Sequence, residues 1–106
     1  MQQGTVYYNG TEAGTIWRDD IGKYYFSYAD AYYNNPTLPA ISLTMPKTTM
    51  LYESEVLFPF FYGLLTEGIN KDIQCRLLRI DGEDDFSRLL KTAGDDTIGA
   101  ITIKEA

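Results

Sequence analysis

Phe58-Pro59-Phe60-Phe61-Tyr62-Gly63-Leu64-Leu65-Thr66-Glu67-Gly68 packs an aromatic helix face, a glycine stop and an acidic turn into one short run. Val56, Phe60 and Leu64 fall on one line of a helix, and Leu57, Phe61 and Leu65 fall on the line beside it. That spacing predicts a helix with a broad apolar face. Pro59 lacks an N–H and is comfortable only in a first turn, which places the start near Leu57 rather than at a Ser54 cap. Gly68 supplies the C-terminal stop. No catalytic group sits in the run.

Downstream, Ile69, Ile73, Leu77 and Ile80 recur every three or four residues, with Lys71, Asp72, Arg76 and Arg79 at other positions. A second amphipathic helix follows from that pattern, closed by Asp81-Gly82. Asp84 or Asp85 caps a third helix with Phe86, Leu89, Leu90 and Ala93 on its core face and Gly94 as its end signal. Ile101 and Ile103 alternate with Ala100 and Thr102 in a last strand.

Upstream, β-branched and aromatic residues over Thr5–Asn9 and Ala13–Arg18 flank Asn9-Gly10, a hairpin signal with a loop extending as far as Glu12. Asp20 and Gly22 mark a turn before Tyr24–Tyr28, which carries aromatics on both faces and reads as a central or doubly covered strand. Asn34, Asn35, Pro36 and Pro39 stop any helical turn at Ala29–Tyr33, making a connector. Ile41, Leu43 and Met45 alternate with Ser42 and Thr44, the period of a strand with one buried face, ended by Pro46. Strands first, then helices, then a returning strand argue for an α+β fold: a mainly antiparallel small sheet or partly open barrel of about five strands packed with three short helices. The 106 residues suit a single domain spanning 1–106.

Hydrophobic content of 44% with 23% charged residues is that of a globular chain. The net charge of −6 and the scattered Lys and Arg disfavour nucleic-acid binding, which needs a basic stripe. A lone cysteine, Cys75, permits no internal disulfide and no Cys-based zinc site. With no signal-peptide pattern and no membrane-length apolar stretch, a cytoplasmic protein is expected.

The chain has no histidine, which excludes His-dependent acid–base catalysis, Ser-His and Cys-His nucleophile pairs and His-ligated metals. No phosphate-binding glycine loop ending in Lys-Ser or Lys-Thr is present. Glu53 with Glu55, Asp84 with Asp85, and Asp95 with Asp96 fall at helix or loop boundaries, where carboxylates cap and solvate rather than form acid–base pairs or metal sites. Cys75 has no base to activate it and reads as a small core residue. Of nine tyrosines, Tyr7, Tyr8, Tyr24, Tyr25, Tyr28, Tyr32 and Tyr33 cluster in the first third. Aromatic enrichment marks interfaces, although most of these residues also suit the covering of a sheet.

Four features, in order, resemble the N-terminal domain of HipA-type kinases, the toxin component of HipA/HipB toxin–antitoxin systems. Ser42-Leu43-Thr44-Met45-Pro46 resembles S-L-S-L-P. The run from Phe60 to Gly68 resembles F-F-x-x-L-L-P-E-G, with Thr66 at the proline. Phe86 with Leu89-Leu90 precedes Gly94-Asp95, and Gly99-Ala100 opens the last strand. The resemblance implies a stand-alone, HipS-like counterpart of a domain that in the full-length family precedes the ATP-binding kinase core. It implies no catalytic residue, cofactor or metal in this chain. The partners it implies are a separately encoded HipA-like Ser/Thr kinase core and, with it, a helix-turn-helix HipB-like protein. The Thr66-Glu67-Gly68-Ile69 turn, an apolar residue beside a carboxylate, is the candidate contact. Rival readings are a structural or interaction domain with no kinase partner, self-associating through its tyrosine-rich sheet, and a small enzyme with a carboxylate-only or metal-assisted mechanism.

Overall fold

A computed structural model describes residues 2–65, 76, 84–92 and 100–105. Gln2–Tyr8 (β1) and Thr11–Arg18 (β2) form the expected hairpin. Its loop is Asn9-Gly10 alone, with φ of 49° and 82°, the pair of left-handed residues that a tight hairpin turn requires. Opposite Val6 and Tyr7 the register shifts, leaving Ala13 as a bulge whose carbonyl accepts the Ala29 N–H.

The turn into Tyr24–Tyr28 (β3) is built by Asp19 rather than Asp20: its carboxylate accepts the backbone N–H groups of Ile21 and Lys23 and the Tyr25 hydroxyl. Asp30–Tyr33 (α1) is the short helical turn that ends at Asn34. Leu51–Ser54 (β4), Pro59–Tyr62 (α2), Asp85–Thr92 (α3) and Ile101–Glu105 (β5) complete the described elements. The five strands are ordered β4-β3-β2-β1-β5, every neighbouring pair antiparallel. This is the expected α+β class, as an open sheet.

Cross-strand partners define the two faces. Val6, Ile16, Phe26, Tyr28 and Ile103 lie on one face and are buried. The helices meet that face: Phe61 of α2 rests against Phe26 (ring centroids 5.7 Å apart), Phe86 of α3 against Tyr24 (5.5 Å) and Tyr32 of α1 stacks on Tyr28 (5.9 Å). Gly4 lets α3 sit close: a Cβ there would lie 2.6 Å from Leu90 and 2.9 Å from Ile103.

Two expectations are corrected. Ile41–Met45 is not a strand; it is a turn in which the Met45 N–H bonds back to the Ser42 carbonyl at 3.1 Å. The chain reverses there, so Ile41 and Met45 enter the core while Leu43 points to solvent. The fourth strand lies instead at Leu51–Ser54, a short edge strand with little apolar alternation to announce it. Among the described residues, the helix expected from Leu57 to Gly68 has one regular turn, Pro59–Tyr62. Leu64 and Leu65 bond back three residues, to Phe61 and Tyr62, tightening its end. The second helix, Ile69–Ile80, and Cys75 lie outside the described residues except for Arg76, which is exposed.

Candidate partner-binding surface

The predicted contact, Thr66, Glu67, Gly68 and Ile69, lies outside the described residues. Its lead-in is described: Phe58, Phe61 and Leu65 are buried, and Phe60 and Leu64 pack partly against the core. Of the two predicted lines, Leu57, Phe61 and Leu65 are core, whereas Phe60 and Leu64 are half-buried and Val56 is exposed, so the buried face is narrower than the periodicity implies. Asp95 and Asp96 also lie outside the described residues.

Asp19, Glu53, Asp84 and Asp85 are committed to local structure. Asp84 accepts the Ser87 N–H at 3.1 Å and the Ser87 hydroxyl at 2.8 Å, capping α3. Gln2 donates to the same Ser87 hydroxyl, Arg18 donates to Gln2, and Arg18 lies 3.6 Å from Asp84, which closes a polar ring between the sheet and α3. Asp85 pairs at 3.1 Å with Arg88, a buried cation that the sequence pattern does not announce. Glu53 faces Lys23 at 3.7 Å. The shallow hollow beside Arg18 and Gln2 also includes Asp19, Asp20 and Gly22; of its charged groups, Arg18 serves this ring and Asp19 the turn. Hydrogen bonding from the Lys23 N–H holds the Asp19 carboxyl below its usual range.

Four of the tyrosines, Tyr25, Tyr28, Tyr32 and Tyr52, serve in two places. On the outer sheet face Trp17 stacks on Tyr25 at 5.2 Å, with the Lys23 ammonium 5.6 Å from the Tyr25 ring. Both rings are half-buried, and the described helices pack on the opposite face. The other three hold the irregular segment 34–50. The Tyr28 hydroxyl donates to the Met45 carbonyl and accepts the Ile41 N–H at 3.2 Å. Tyr32 donates to the Pro39 carbonyl at 2.6 Å and Tyr52 to the Pro46 carbonyl at 2.5 Å. Lys47 lies 5.1 Å from the Tyr32 ring centre and donates to the carbonyls of Asn35 and Leu38 at 2.6 and 2.8 Å. Several backbone groups of a long loop are thus satisfied by tyrosines of the sheet and α1 and by Lys47 within the loop itself.

Burial raises the Tyr28 phenol above the usual 10.0, against a lowering contribution from the Ile41 N–H, and burial likewise raises Tyr32. A raised phenol binds its proton more tightly in the folded chain than in the unfolded one. The associated stability is fully present below the unfolded value of 10.0 and is lost as pH rises through the folded values. Urea midpoints measured across alkaline pH should therefore fall, and Tyr28→Phe should make that fall shallower. An unchanged slope would remove Tyr28 from this account.

Comparison with known proteins agrees with this fold. The HipA N-terminal domain family matches residues 4–104. A solved structure titled the N-terminal domain of HipA toxin superposes with a TM-score of 0.72 at 30% identity, covering 100% of this chain and 93% of that one. An uncharacterized protein of Haemophilus influenzae is 33% identical over 105 residues, 99% of this chain and 93% of that protein. "Putative kinase Y4mE" of Sinorhizobium fredii is 28% identical over 98 residues, 92% of this chain but only 23% of that longer protein. With the family matched along almost its whole length and the same fold found in a solved member, this chain belongs to the HipA N-terminal domain family.

Proposed function

We propose that this chain is a non-catalytic regulatory subunit of a HipA-like toxin–antitoxin system. It docks on a separately encoded Ser/Thr kinase core and modulates or neutralises it. The carrying observation is the pair of relatives. The same domain makes up 93% of the Haemophilus influenzae protein and 23% of a protein named as a kinase. A module found both nearly by itself and as a minor part of a longer chain is suited to acting on the remainder of that longer chain. The net charge of −6 argues against direct nucleic-acid contact, so any DNA binding belongs to a HipB-like partner. The Thr66–Ile69 turn, which follows the buried Leu65, remains the proposed point of contact with the kinase.

Co-expression with a HipA-like kinase core tests the reading. The expected result is co-purification together with relief of the growth arrest that the kinase alone causes. Failure of both would reject it. Self-association through the outer sheet face, favoured by the half-exposed Trp17–Tyr25 stack, would instead appear as a dimer in sedimentation that Trp17→Ala dissolves.

A further inference from the structure

The segment between α1 and β4 is set apart by charge. The chain carries fifteen Asp and Glu, yet none falls between Asp30 and Glu53, and the only basic residue there is Lys47. Lys47 is turned onto the carbonyls of Asn35 and Leu38. Asn34, Pro36, Thr37, Pro39, Thr44 and Thr48 are exposed and Lys47 is half-buried, so the fully exposed residues of this window carry no charge. Depletion of charge is the compositional mark of the centre of a protein interface.

Leu43 stands in this window. It is 101% exposed, whereas Ile41 and Met45 on either side are buried. An exposed leucine on a loose loop would mean little. Here the backbone under it is fixed from three directions. Tyr28 holds the Ile41 N–H and the Met45 carbonyl, the Met45 N–H closes on the Ser42 carbonyl, and the Ser42 hydroxyl bonds to the Thr44 N–H at 3.2 Å and the Thr44 hydroxyl at 2.9 Å. A buried tyrosine is thus used to hold a turn whose apex adds nothing to the core. The ordering cost of presenting that apex has already been met in the fold, which favours binding by a preorganised anchor.

We propose that the Ser42–Thr44 turn is a docking knob whose Leu43 side chain enters an uncharged, apolar pocket on the HipA-like kinase core. The inference rests on the proposed function and adds a second contact, remote in sequence from the Thr66–Ile69 turn. The kinase core is favoured as occupant because Y4mE carries this domain beside a much longer stretch of chain.

The test measures binding of the full chain to the purified kinase core by calorimetry, using wild type, Leu43→Ala, Leu43→Asp and Ile21→Asp. Ile21 is 88% exposed and lies in the turn before β3, at the end of that strand opposite Tyr28, so it controls for an added surface charge. Leu43→Ala should weaken binding about tenfold or more and Leu43→Asp further still, since a carboxylate would have to enter the pocket. Melting temperatures should stay at the wild-type value, and Ile21→Asp should bind as wild type does. Wild-type binding that Leu43→Asp retains, or that Ile21→Asp weakens equally, overturns the knob and leaves the proposed function standing. A wild-type chain that does not bind the core overturns both. Loss of self-association in Leu43→Asp with kinase binding intact would assign the knob to a second copy of this chain and overturn the proposal.

Discussion

Phe26→Ala should lower the free energy of unfolding by about 3–5 kcal/mol, a large part of the total for a domain of this size. Phe26 is fully buried in β3, between Ile16 on β2 and Tyr52 on β4. Its ring meets Tyr28 edge-on at 5.0 Å and Phe61 at 5.7 Å. Removing it opens a cavity where the sheet, α2 and the tyrosine that holds the 41–45 turn come together. At about 4–8 °C per kcal/mol the melting temperature should fall by tens of degrees. Urea unfolding followed by circular dichroism gives the number, and a loss below about 1 kcal/mol would show that Phe26 does not join these elements.

Gly14→Ala should destabilise the fold by overpacking. A Cβ at Gly14 would lie 2.2 Å from the backbone oxygen of Ser27 and 2.9 and 3.0 Å from the Phe26 ring. The oxygen belongs to the adjoining strand, so relief requires moving β3 against β2, at about 1–3 kcal/mol or more. Gly10→Ala is the informative contrast. Gly10 has φ of 82° and open space around it, so its cost is only the left-handed backbone strain of about 1–2 kcal/mol. Thermal melts should rank Gly14→Ala as the less stable of the two, and the reverse order would show that the strands adjust freely.

The hairpin was legible because Asn9-Gly10 meets a backbone requirement that few residue pairs can meet. The line of Leu57, Phe61 and Leu65 was legible as core because its spacing is helical even where the helix itself is short. Local pattern misled at Ile41–Met45. Alternation of apolar residues there is satisfied by a turn with two inward ends as well as by a strand, and the deciding bonds come from Tyr28, thirteen residues from Ile41. β4 was missed for the converse reason: an edge strand with Leu51 exposed needs no alternating pattern, only a neighbour to pair with. Of the site, the sequence marked the Thr66–Ile69 turn by its composition. It did not reveal that Leu43 is exposed, because exposure at that position depends on which way the chain reverses.

β5 pairs antiparallel with β1, with Glu105 opposite Gly4. The entry and exit of the described chain therefore lie side by side at one end of the sheet. A pull applied through both ends would load the bonds between these strands one rung after another, peeling them apart as a zipper opens rather than shearing the whole ladder at once. The strand pair that completes the sheet is thus the one that such a pull would open first.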